Sequence, residues 1–194
     1  MRYASIDELK TRLGITDATD DTILGMVLDS VSLLIEKKTH RRFWKNTSDE
    51  TRYYSPMQSD ALFTDDIVSV TTLKSDEDQD RTYEATWATT DYDLCPYNAA
   101  TLSPQEPYTW LEITPQGSYS FPTGQKAVQI VGVFGWPEVP ATVKEATLIQ
   151  AARIFKRKDS PFGIAGVGEF GQVQLLGKLD PDVESFLEPL TRVV

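Results

Sequence analysis

The chain has 194 residues, 40% hydrophobic and 25% charged, the proportions of a globular protein long enough for one sizeable core or two small ones. Its formal net charge of −10 argues against broad wrapping of nucleic acid, and its lone Cys95 excludes an intrachain disulfide framework. Its single His40 leaves it without the His and Cys set on which most zinc sites and acid–base mechanisms draw.

No apolar run approaches the ~18 residues of a membrane span. The opening MRYASIDELK is charged where a signal peptide needs an apolar stretch, so the expectation is a protein made in a reducing cytosol. Within that opening, Ser5 and Glu8 have the spacing of a capping box, and Ile6, Leu9 and Leu13 line one face of a first helix that Gly14 stops. Asp17, Asp20 and Asp21 place negative charge at the start of a second, longer helix. Ile23, Leu24, Val27, Leu28, Val31, Leu34 and Ile35 give that helix its i, i+3, i+4 rhythm, and Lys37, Lys38, Arg41 and Arg42 follow at its C-terminal end.

From Thr51 the pattern turns to β. Short strands are expected at 52–54, 61–63, 67–73, 82–87, 109–114 and 127–134, the last apolar enough to be covered on both faces. Trp110 and Glu112 should lie opposite Leu111 and Ile113. Residues 76–81, 96–107 and 115–124 read as turn-rich connections. A third helix opens at Pro140 and carries Val143, Ala146, Thr147, Ile149, Ala151, Ile154 and Phe155 into a basic end, Arg153, Lys156, Arg157 and Lys158. A last short helix starts at Asp180-Pro181 with Val183, Phe186, Leu187 and Leu190 on one side.

The stretch between these two helices, PFGIAGVGEFGQVQLLG from Pro161 to Gly177, combines five glycines with Phe162, Ile164, Val167, Phe170, Val173, Leu175 and Leu176. A solvated linker would not expose so many apolar side chains, and glycine this frequent argues against a helix or a regular strand. The expectation is an irregular apolar segment that docks on another surface. Fold class is therefore α+β: a helical bundle formed by residues 1–50 and 140–194, with a small antiparallel β module, residues 51–139, inserted into it.

No catalytic, cofactor or metal site emerges. Gly166, Gly168 and Gly171 match G-x-G-x-x-G, but a basic helix precedes them, whereas a dinucleotide fingerprint needs a strand before and a helix after. Cys95 reads as structural and His40 as a helix cap. The pairs Asp65–Asp66 and Glu84–Asp91 read as solvated turns and strand ends, and the run 75–80 lacks the spacing of a calcium loop. Trp87, Trp110, Tyr92, Tyr97 and Tyr108 could form an aromatic platform for a carbohydrate ligand, or simply fill a sheet core.

The whole layout resembles the head–tail connector (adaptor) proteins of long-tailed bacteriophages. The residues that carry the resemblance are Tyr3 to Lys10, Thr39 to Phe43, Phe134 to Pro140, Arg153 to Pro161, the glycine-rich segment and Leu179 to Val183. It covers both ends of the chain and leaves the β module largely unmatched. The resemblance implies a structural protein of the virion neck, not an enzyme. It would be assembled in the host cytoplasm into a homo-oligomeric ring, commonly twelve-fold, beneath the portal protein. That ring would meet a stopper or tail-completion protein on its other face and pass double-stranded DNA without sequence-specific contact. Arg153, Lys156, Arg157, Lys158, the apolar residues of the glycine-rich segment, Phe186 and Leu187 would then form the assembly interface, and a channel poor in cations would let DNA move.

Overall fold

The computed structural model describes residues 1–159, 164–168, 171–174 and 179–192. The chain is mixed α and β and falls into two compact units, Met1–Arg41 with Val139–Val194, and Arg42–Glu138.

The first unit is helical, with α1 (Ile6–Leu13), α2 (Asp21–Thr39), α3 (Ala141–Lys156) and α4 (Pro181–Leu187). The capping box at α1 forms in full: the Glu8 amide donates to Ser5 Oγ at 3.1 Å and the Ser5 amide donates to Glu8 Oε2 at 2.8 Å. Gly14 ends α1 at φ 71°, and His40 ends α2 in the same left-handed region at φ 54°. Helix α3 is the hub, packing on α1, α2 and α4. Leu9, Leu24, Leu28, Val31, Ile35, Val143, Ala146, Ala151, Val183 and Leu187 are buried in this unit.

Glu8 also pairs with Lys144 Nζ of α3 at 3.1 Å. The Ser5 amide, and then Lys144, hold its carboxyl below the usual carboxylate range. A lowered folded-state pKa means that the contribution is present above the ordinary Glu pKa and disappears as pH falls through the folded value. Glu8→Gln should therefore lower Tm near neutral pH and converge with the wild type in acid, read from melting curves across pH. Ser5→Ala should cost about 1 kcal/mol by the same capping argument.

Helix α2 departs from the simple amphipathic reading. Leu24, Leu28, Val31 and Ile35 face the core, but Ile23 and Leu34 are 43% and 38% exposed. The i, i+3, i+4 rhythm had merged two apolar stripes into one, and the structure separates them.

The second unit is an antiparallel sheet in the order β1-β6-β2-β5-β4, from β1 (Glu50–Tyr54), β2 (Ala61–Ser75), β4 (Tyr92–Cys95), β5 (Tyr108–Ile113) and β6 (Val128–Phe134). The two-residue β3 (Ala85–Thr86) pairs with the end of β2. The segments 61–63 and 67–73, expected as separate strands, are one strand. Irregularities in its register let its first half pair with β5 and most of its length with β6. The 82–87 strand contracts to β3, and Tyr92–Cys95 is an edge strand that its single turn-flanked apolar pair did not announce.

Leu62, Ile67, Leu73, Trp87, Tyr92, Leu111, Phe121, Val128, Ile130 and Phe134 form one core beneath the sheet. Strand β6 alternates between buried and half-buried residues, so only one of its faces is fully covered. As expected, Leu111 is buried, and Trp110 and Glu112 lie on the other face, where Trp110 Nε1 donates to Glu112 Oε1 at 2.8 Å.

Beyond α3, β7 (Ile164–Gly168) and β8 (Gly171–Gln174) pair antiparallel, with an irregularity between Ala165 and Val167. This corrects the expectation of a segment without regular structure. Glycine in a strand is tolerated where the ladder bulges, and Ile164, Val167 and Val173 are strand formers.

Candidate assembly interface

The basic end of α3 is more self-satisfied than its sequence suggests. Asp180 caps α4 by accepting from the Asp182 amide at 3.0 Å, and its own amide donates to Gln150 Oε1 at 3.1 Å. Arg153 reaches the same carboxylate at 3.0 Å, so it serves as a tie between α3 and α4. Lys158 pairs with Asp20 at 2.8 Å and lies 4.3 Å over the Phe155 ring. Arg157 is half-buried, and Lys156 is exposed and makes no ion pair among the described residues. Of the expected patch, Lys156 alone is both exposed and without an ion pair among the described residues.

The apolar candidates also divide. Leu187 is buried in the chain's own helical core, so it anchors α4 from within, while its neighbour Phe186 is 37% exposed. Ile164, Val167 and Val173 fall in β7 and β8. Phe162, Phe170, Leu175 and Leu176 lie outside the described residues.

Sequence reasoning missed the outer face of α2. There Ile23, Met26, Leu33 and Leu34 are 43%, 64%, 52% and 38% exposed, in a helix whose opposite face is buried. The signal was present in the adjacent Leu33-Leu34, which one inward stripe cannot bury together, and in Met26, which falls between the core positions.

The polar and aromatic residues that the sequence offered as chemical candidates have partners within the chain. Trp87 and Tyr92 are 5% and 7% exposed and belong to the sheet core, so the five aromatic residues do not form a common platform. Trp87 stacks on Phe121 and Tyr119 with ring centroids 4.7 Å and 5.2 Å away. Trp110 and Tyr97 both donate to Glu112, and these bonds, Trp110 first, hold its carboxyl below its usual range.

Cys95 is buried, which pushes its thiol pKa up and makes it a poor nucleophile. Asp91 accepts from the Ala88 and Ser118 amides at 2.7 Å and 3.3 Å, stapling a loop. Asp65 accepts from Arg52 at 2.9 Å, and Asp66 accepts from Trp136 Nε1 at 2.9 Å. Carboxylate oxygens of Asp76, Asp78 and Glu84 lie within 4.8 Å of one another. Both Asp76 oxygens are taken by the Gln79 and Arg81 amides, so this carboxylate builds its own turn. Gly166 and Gly168 sit in β7 and Gly171 opens β8, so the glycine triplet lacks the helix that a dinucleotide site requires. No described helix is long and apolar enough to cross a membrane.

The described residues thus combine a helical unit, with a capped short helix and a long helix, and a second unit built on an antiparallel sheet. Residues 3–86 match the model of the family described as phage gp6-like head-tail connector protein. Over that region the chain is similar to the phage head–tail connectors, the family its sequence resembles.

Two solved structures share the fold. One is a chain of the neck of an empty gene transfer agent (GTA) particle, computed with C6 symmetry, with TM-score 0.53 and 17% identity over 97% of this chain and 89% of that one. The other belongs to the virion of a native GTA particle, with TM-score 0.52 and 19% identity over the same shares. No curated protein matches the chain.

Proposed function

We propose that this chain is a non-enzymatic structural subunit of a head–tail connector ring, lying beneath the portal at the capsid vertex and joining head to tail. The observation that carries the reading is the family match over residues 3–86, reinforced by a fold shared across 97% of the chain with a neck protein. In this reading the helices from residues 1–50 and 140–194 form a bundle that is the connector core, and residues 51–139 are a β module inserted into it. The six-fold symmetry used for the related neck favours a ring with a multiple of six subunits, and twelve fits. A subunit charge of −10 suits a channel through which DNA slides without being held by counterion release. The other face of the ring would receive a stopper or tail-completion protein.

Lys156, Phe186 and the apolar residues of the 161–177 segment are the interface candidates in this reading, while Arg153, Lys158 and Leu187 shape the subunit that presents them. The test is electron microscopy of purified particles carrying a tagged copy of the chain. Density for the tag is expected at the neck, between head and tail. Density at a tail tip or head spike would overturn the assignment. In the same particles, deletion of residues 162–176 should remove the chain from the neck while the purified variant keeps its helical circular dichroism.

A further inference from the structure

Helix α2 is apolar on two faces, a pattern typical of a helix covered on both sides. The inner face is covered by the chain's own core. The outer series, Ile23, Met26, Val27, Ser30, Leu33, Leu34 and Lys37, follows the 3-and-4 spacing of a helix–helix seam and carries no charge from Ile23 to Leu34. Four of its side chains are between 38% and 64% exposed, leaving on the order of 350 Å² of apolar surface, the size of patch that marks an interaction site.

From Ile23 to Leu34 the stripe offers DNA phosphates no cation, so the passing duplex does not fit it. The only charge on the seam is Lys37 at one end, which asks for an apolar partner with a carboxylate at one edge. The chain itself offers such a surface on α4. Phe186 is exposed there, and Asp182, four residues earlier and therefore on the same side, is exposed and makes no ion pair among the described residues. Glu184 of α4 and Glu188 just after it line a groove of about 510 Å³ with Lys38 of the same chain, which leaves Asp182 as the carboxylate next to Phe186.

We infer that the outer stripe of α2 is a subunit-to-subunit contact that receives the Phe186–Asp182 face of α4 from a second copy of this chain, with Lys37 meeting Asp182. The inference rests on the connector reading and adds the surfaces to it. A ring needs two different, complementary patches on every subunit, because a patch that pairs with itself closes a dimer. The α2 stripe and the α4 face are such a pair. A stable interface buries ~800 Å² per partner, so the stripe is the apolar centre of the contact and its surroundings supply the rest.

The test uses the purified full-length chain at high concentration, with two single variants, Leu33→Cys and Phe186→Cys. Cys95 is buried and can stay in place. On oxidation of an equimolar mixture, disulfides between the two variants should exceed those within either one by about tenfold, equal to ~1.4 kcal/mol of pairing preference. The double variant should give a ladder of multimers. Lys37→Glu should suppress the ladder, and adding Asp182→Lys should restore it.

Dimers from Leu33→Cys alone would show α2 meeting α2 and would overturn the pairing, as would the absence of cross-links. Met26→Asp gives a second readout: an unchanged melting temperature with lost self-association supports the inference, and unchanged self-association overturns it. None of these failures moves the chain from the neck. A chain found elsewhere in the particle would instead sink the connector reading itself.

Discussion

Trp87→Ala is expected to remove about 3–5 kcal/mol of stability, most of what a marginally stable unit possesses. The indole is 5% exposed and lies 4.7 Å from the Phe121 ring and 5.2 Å from the Tyr119 ring, nearly parallel to both. Its Nε1 donates to Ser75 Oγ at 2.9 Å, and Ser75 is itself buried, so truncation leaves a cavity and an unsatisfied hydroxyl together. Trp87→Phe keeps most of the stacking and loses only the hydrogen bond, so it should cost about 1–3 kcal/mol. Chemical denaturation followed by near-UV circular dichroism, which reports the packed aromatics, orders the two variants. Equal losses would mean that the stack contributes nothing beyond the hydrogen bond.

What could be read in advance follows from how local each determinant is. The α1 capping box, the Gly14 stop, the His40 cap and the Asp180-Pro181 start are decided by side chains or backbone conformations acting within one to four residues along the chain, and all four stand in the structure as the residues imply. Strand boundaries were less legible. The expected 61–63 and 67–73 strands are one because Thr64, Asp65 and Asp66 look like a turn yet are held in β2. Asp65 accepts from Arg52 and Asp66 from Trp136, partners 13 and 70 residues away.

Burial on α2 was misjudged for the same reason. Its periodicity identifies the helix, but which apolar stripe meets α3 depends on residues more than a hundred positions later. The interface candidates show the limit most clearly. A run of cations at the end of α3 looked outward-facing until Asp180 and Asp20, remote in sequence, supplied partners for Arg153 and Lys158.

Gly135→Ala is expected to cost at least about 3 kcal/mol, through two causes that act at one atom. Gly135 has φ 107°, beyond the left-handed basin that Asn or Asp can share, and so in a region nearly closed to a residue with a Cβ. An added methyl would also collide with the Trp44 carbonyl oxygen, with the Trp44 carbonyl carbon 2.8 Å away and the Lys45 Cα 3.0 Å away, all backbone atoms that cannot swing aside. Backbone movement to relieve the clash would disturb three bonds that close this end of the sheet. These are Gly135 N to Asp66 O at 2.7 Å, Asn46 N to Phe134 O at 3.0 Å and Trp136 Nε1 to Asp66 Oδ2 at 2.9 Å.

Gly14 provides the comparison. It also has positive φ, 71°, but an added Cβ there meets nothing within 4 Å. Gly14→Ala should therefore cost only the conformational penalty of about 1 kcal/mol. Denaturant midpoints of the two variants measure the difference, which combines the collision at Trp44 with the more restricted φ of Gly135. If Gly135→Ala proved no more destabilising than Gly14→Ala, the close approach of the 44–45 backbone to the end of β6 could not be what requires glycine there.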